Sequence, residues 1–110
     1  MKTIVFTLAL VLAAAPALAE TIEMSNLSIT VIESDGDLVT YSWKVDVIAE
    51  HDHDNCLIRI SCQNDDGYEI TAIIEPVRID AGESTLTKSG VMSEKTFLSI
   101  KNISAEITCN

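Results

Sequence analysis

Apolar and polar residues alternate with a period of two along residues 20–110, in short runs that turn residues separate. Such alternation is typical of half-buried β-strands, and no run of helical period appears. The pattern is undecided over 89–95 and changes phase near Lys101. The sequence therefore predicts a series of short strands, at 26–32, 38–48, 56–62, 68–75, 77–79 and 85–88 and in two runs between 97 and 109.

The parity of each run predicts which side chains face the core. Trp43, the only tryptophan, falls on the apolar face of its run and is expected in the core. In the run 68–75 the residues expected to face inward are Tyr68, Ile70, Ala72 and Ile74. Pro76 is expected to interrupt the ladder there, because proline has no N–H to donate.

Acidic glycine turns separate the runs. Residues 33–37, 63–67 and 80–84 each combine glycine with turn-forming polar residues, which suits reversals between antiparallel strands. Six to eight short strands with this spacing indicate an all-β fold, a small antiparallel two-sheet sandwich of the immunoglobulin-like kind. A small closed barrel fits the same pattern.

The first residues have the features of an export signal. Lys2 is followed by an apolar run over 4–12 and by the small-residue end Ala17-Leu18-Ala19. This combination predicts a signal peptide over 1–19, cleaved before Glu20. We expect one mature domain over 20–110, periplasmic or secreted from a bacterium, with no membrane anchor once the signal is removed.

Composition narrows the class of partner. The chain has 110 residues with 17 acidic and 7 basic side chains, a formal net charge of −10, and 47% hydrophobic residues. Nucleic-acid binding needs clustered Lys and Arg, which are sparse here, so no nucleic-acid partner is expected. The apolar share favours a folded domain over a disordered chain.

Three segments together resemble a known family. They are Tyr41-Ser42-Trp43-Lys44-Val45, the turn Asp65-Asp66-Gly67, and Ala81-Gly82-Glu83-Ser84. This part of the chain is similar to the FxLYD-like bacterial immunoglobulin-like domains. Where that family has Phe-x-Leu-Tyr-Asp, this chain has Ile60-Ser61-Cys62-Gln63-Asn64, so only the following turn matches. The resemblance implies an exported accessory domain and carries over no functional residue.

Three cysteines allow one disulfide and leave one thiol. If 56–62 is one strand, Cys56 and Cys62 lie about 20 Å apart, whereas a disulfide needs Cα atoms within about 7 Å. The bond must therefore include Cys109. Antiparallel pairing of the last strand favours Cys56 with Cys109, and the alternative is Cys62 with Cys109.

The segment from His51 to Asp54 contains side chains that bind metal ions in other proteins. Imidazole and carboxylate groups suit Zn(II), Cu(II) or Ni(II), and alternation would place His51 and His53 on the same side of an extended chain. A solvated polar loop without a cofactor explains the same composition, and weak divalent-metal binding is the alternative. The candidate ligands are His51, Asp52, His53 and Asp54.

The functional expectation is a binding module and not an enzyme. The only histidines lie in one polar segment, and the chain has no nucleophile, metalloprotease, phosphate-loop or dinucleotide motif. We expect an exported, non-catalytic immunoglobulin-like domain that contacts a protein of unidentified type by its sheet edge or loops, and the alternative is a periplasmic metal-binding protein using the loop from His51 to Asp54.

Overall fold

Buried and exposed positions alternate along the long strands of this computed structural model, which describes residues 5–8 and 22–110. In the strand Leu38–Ala49, every second residue from Val39 to Ala49 is buried, and Trp43 is completely inaccessible to solvent, as predicted. The elements are β1 (Val5–Leu8), β2 (Ile22–Asp35), β3 (Leu38–Ala49), β4 (His53–Gln63), β5 (Glu69–Ile79), β6 (Gly82–Ser93), α1 (Glu94–Ser99) and β7 (Asn102–Cys109).

The strands form two separate antiparallel sheets. One has the order β1-β2-β3-β6 and the other the order β5-β4-β7. Their buried residues make one hydrophobic cluster, to which β2 and β3 contribute from the first sheet and β4, β5 and β7 from the second. The predicted all-β architecture of two antiparallel sheets is therefore confirmed, and the described strands do not close into a single barrel.

Tight turns join neighbouring strands where the sequence predicted them. Gly36, between β2 and β3, has a φ of +62°, and Gly67, between β4 and β5, has a φ of +84°, a region that glycine adopts without steric cost. In the second turn the Asn64 side-chain oxygen accepts hydrogen bonds from the backbone N–H groups of Asp66 and Tyr68, at 2.9 and 3.0 Å. This asparagine fixes where β4 ends.

The predicted inward face of β5 is wrong. Tyr68 is 71% exposed and Ile74 57% exposed, whereas Ile73 and Ile79 are buried. Adjacent isoleucines at 73 and 74 make both phases apolar, so alternation alone does not choose between them. Two features decide which residues of β5 face the core. Tyr68 belongs to the turn and not to the strand, and a register shift beside Cys62 sets which of the following residues point inward.

Pro76 does not interrupt β5, contrary to expectation. The strand runs through it, with Leu57 of β4 as its partner. β5 lies at the edge of its sheet, a position in which a strand tolerates a missing N–H group. The Pro76 carbonyl accepts a hydrogen bond from Lys88 Nζ of β6 at 2.7 Å, which links the two sheets.

A short helix follows a longer β6 than the sequence predicted. Ser93 caps α1 by accepting a hydrogen bond from the Thr96 N–H at 3.1 Å, and Phe97 is fully buried below it. Phe97 was expected in a strand. A helix of six residues spans fewer than two turns, so it leaves no helical period in the sequence.

The described part of the predicted signal peptide forms β1. Its backbone pairs antiparallel with β2, from Val5 opposite Thr30 to Leu8 opposite Leu27. The other positions of 1–19 lie outside the described residues. β1 therefore occupies the outer edge of β2.

Candidate functional site

A β-bulge at the start of β4 turns His53 toward the same side as Cys56. Residues three apart on a regular strand face opposite sides of the sheet. Here the register with β5 shifts by one residue between His53, opposite Ile79, and Cys56, opposite Val77. Because of the extra residue, the side chains of His53 and Cys56 point to the same side of the strand, and bulges redirect side chains in this way in many sheets.

Cys56 and Cys109 meet at the end of the second sheet. They are direct partners in the pairing of β4 with β7, and their Cα atoms lie 4.1 Å apart. Their Sγ atoms are 2.09 Å apart, at disulfide distance. This is the pair that antiparallel pairing favoured, and the alternative partner, Cys62, lies further along β4 opposite Ile103.

His53, Cys56 and Cys109 together bring three donor atoms to one place. One imidazole nitrogen and the two sulfurs all lie within 4.8 Å of one another. Cys56 is buried, and the other two residues are half-buried. Because the sulfurs are paired with each other, they are not available as thiolate ligands while the disulfide is intact.

The rest of the predicted metal cluster does not converge on His53. The Asp52 carboxylate accepts a hydrogen bond from the Ala81 N–H at 2.7 Å and so fixes the turn between β5 and β6. The Asp54 carboxylate lies 3.4 Å from Arg78, and both side chains are mostly exposed. His51 is exposed and outside the three-donor group. Sequence reasoning named His53 but missed both sulfurs, for which the only signal was the spacing His53-x-x-Cys56.

Cys62 is a buried thiol in the core. It is fully inaccessible to solvent. Burial, and secondly the negative charge of Glu69, raise its pKa to about 11. The thiolate is the reactive form of cysteine. Because little thiolate forms at neutral pH, Cys62 is unreactive there.

Some charged groups at the surface pair with groups on the same or a neighbouring strand. The Arg59 guanidinium donates to the Glu69 carboxylate at 2.7 Å, which lowers the pKa of that carboxyl. Asn26 and Thr85 donate to Asp46 at 2.9 and 3.0 Å, and these hydrogen bonds lower the pKa of Asp46. Asn26 has a φ of +54° and lies in a bulge of β2. These contacts hold strands together and gather no set of catalytic groups.

An open groove of about 680 Å³ lies near the disulfide. Its apolar lining includes Leu57, Pro76 and Leu86, and Lys88 and Arg78 contribute positive charge. The groove runs along the side on which β5 and β6, the edge strands of the two sheets, approach each other.

Compared with known proteins, the chain matches no family model, no curated protein and no solved structure. The likeness to FxLYD-like domains therefore stays a prediction. Across residues 5–8 and 22–110, no helix has both the length and the apolar character needed to cross a membrane.

Proposed function

We propose that this protein is an exported, non-catalytic immunoglobulin-like accessory domain, periplasmic or secreted, which binds an extended segment of a partner protein along the edge of β2. The partner segment would add an antiparallel strand to the first sheet. Main-chain hydrogen bonds supply affinity in this mode of recognition, and alternate side chains supply specificity.

The observation that carries the proposal is the position of β1. Four residues of the predicted leader, Val5–Leu8, pair with β2 between Leu27 and Thr30. This stretch of β2 thus has the backbone geometry to accept an antiparallel strand. Cleavage before Glu20 would remove that strand and leave a row of unpaired N–H and C=O groups.

The chemistry of this stretch is compatible with strand addition. Leu27 and Ile29 point into the core and are fully buried, and the alternate residues Ser28 and Thr30 are uncharged. Charged side chains and proline are the usual means by which edge strands avoid pairing. By contrast β5, an edge strand of the second sheet, has such protection in Pro76, whose carbonyl is already bonded to Lys88.

A peptide with the sequence of residues 3–10 tests the proposal on the mature protein. We expect it to bind and to slow amide hydrogen exchange at β2 between Leu27 and Thr30, because it restores the backbone pairing that β1 makes. The matched control is the same peptide with alternate backbone nitrogens methylated, which keeps the side chains and removes the donors.

Three results would contradict this assignment. One is equal binding by the methylated peptide, which would mean that side chains and not the sheet edge are recognised. Another is exchange protection confined to the exposed apolar residues Leu57 and Ile74 on the second sheet, which would place binding on that outer face. Absence of binding would also exclude the β2 edge as an acceptor for this strand.

A further inference from the structure

We infer that His53, Cys56 and Cys109 form a zinc site when the disulfide is reduced, so that this end of the molecule is held either by a disulfide or by a metal ion. The inference is independent of the proposed strand addition, because the β2 edge belongs to the other sheet. It also differs from a site at the polar segment 51–54, since two of its three ligands are sulfurs.

The spacing of the donors fits one ion. Zinc binds thiolate sulfur at about 2.3 Å and imidazole nitrogen at about 2.0 Å, preferably in a tetrahedron. Ligand atoms on such a tetrahedron lie about 3.5 to 3.8 Å from one another. The three donor atoms here already lie within 4.8 Å of one another, so small side-chain rotations bring them to that distance.

The backbone supplies the preorganisation. Cys56 and Cys109 are direct cross-strand partners, and the bulge between His53 and Cys56 brings the imidazole to the same side. The Asn110 N–H also donates to the Asn55 carbonyl at 3.0 Å, which keeps the end of β7 beside the bulge. Three ligands are therefore held by main-chain contacts that do not depend on the disulfide itself.

The change from the disulfide to the zinc-bound state conserves electrons and protons. A dithiol reductant transfers two electrons and two protons to the Cys56–Cys109 bond and itself becomes a disulfide. Zinc then binds the two sulfurs as thiolates and two protons are released. His53 supplies neutral imidazole, and water completes the tetrahedron. Because the same sulfurs serve both states, zinc binding and the disulfide exclude each other.

Cys62 provides an internal reference. It lies six residues along β4 from Cys56 and faces Ile103, so it is too far from His53 to join the site. In the reduced protein zinc should therefore protect Cys56 and Cys109 from alkylation and leave the reactivity of Cys62 unchanged. Mass spectrometry of the alkylated peptides distinguishes the three cysteines.

The experiment compares the oxidised and the reduced mature protein in a competition titration of zinc against a chromophoric chelator. We expect one zinc ion per reduced chain and no comparable binding to the oxidised chain. His53→Ala should weaken binding by roughly 100-fold or more, because it removes a ligand, and loss of only an outer hydrogen-bond partner of a ligand already lowers metal affinity by about 10- to 100-fold. His51→Ala is the matched control and should leave the affinity unchanged.

Reduction could unfold the domain, so circular dichroism accompanies each titration. If the reduced chain is unfolded, zinc should restore the β-sheet signal in the wild-type protein and in Cys62→Ser, but not in His53→Ala. Equal affinities of the His53→Ala and wild-type chains, or tight zinc binding by the oxidised chain, would overturn the inference. So would protection of Cys62 in place of Cys56 or Cys109.

Discussion

Cys56 and Cys62 lie on the same strand and face the same core, yet they have different roles. Both are almost inaccessible to solvent, and both occupy direct pairing positions with β7. Cys56 lies opposite Cys109 and is at disulfide distance from it, whereas Cys62 lies opposite Ile103 and remains a thiol.

The cross-strand partner accounts for this difference better than burial does. An antiparallel ladder fixes which residue of β7 lies opposite each residue of β4. Cys56 therefore lies opposite the sulfur of Cys109, and Cys62 lies opposite the side chain of Ile103. The first contact links the ends of two strands, and the second fills space in the core. A change of partner should therefore exchange the roles.

Removal of the disulfide should produce the largest effect. The bond closes a loop with a sequence separation of 53 residues, and the entropy of the unfolded chain predicts a contribution of about 4 kcal/mol. We expect the double variant Cys56→Ala, Cys109→Ala to lose about that much free energy of unfolding in a urea titration without reductant.

Cys62→Ala is the matched control for that experiment, because it truncates a buried cysteine on the same strand without affecting a cross-link. Its loss should be close to 1 kcal/mol, the scale of a small core truncation. Equal losses in the two variants would mean that both cysteines act only as core residues and that the bond contributes little.

The sequence predicts the pairing of strands more readily than their local irregularities. Alternation and the glycine turns predicted two antiparallel sheets, and the positions of Cys56 and Cys109 at strand ends favoured their contact. The bulge that turns His53 leaves no trace in a period-two pattern, since Asp54 and Asn55 are polar in either register. The face of β5 was equally hidden, because Ile73 and Ile74 suit both phases.

A transplanted cross-link should give an intermediate effect. In Ile103→Cys the new thiol lies opposite Cys62, in the same ladder and with the same pairing parity as Cys109 opposite Cys56. We expect a second disulfide. With the Cys56–Cys109 bond intact, it closes a ring of roughly 14 residues, formed by 56–62 and 103–109, and contributes about 3 kcal/mol. Loss of the buried isoleucine side chain should offset about 2 kcal/mol of that gain.

Thiol counting in denaturant checks this outcome directly, because the count should fall from the single Cys62 thiol of the wild type to near zero although a cysteine has been added. Ile103→Ser is the control, since it removes the same side chain but keeps the Cys62 thiol. Two free thiols in the Ile103→Cys protein would show that register alone does not decide which cysteine of β4 forms a bond.

Titration of Cys62 should give no effect at neutral pH and the most specific effect at high pH. Folding raises its pKa from the ordinary value of 9.0 to about 11, because burial disfavours the thiolate. The neutral thiol therefore stabilises the fold fully below pH 9, and this contribution is lost as the pH rises from about 9 to about 11. The difference in free energy of unfolding between wild type and Cys62→Ala should fall over that interval and then reverse its sign, because the rise in pKa to about 11 corresponds to more free energy than the loss of about 1 kcal/mol expected for Cys62→Ala. Burial also raises the pKa of Tyr41, but that group is present in both proteins and largely cancels in the comparison.

Native-state alkylation gives an independent measure: at pH 8 the Cys62 thiolate should be roughly 100-fold scarcer in the folded than in the unfolded chain. If alkylation is equally fast in both states, Cys62 is not the protected core residue that its position opposite Ile103 implies.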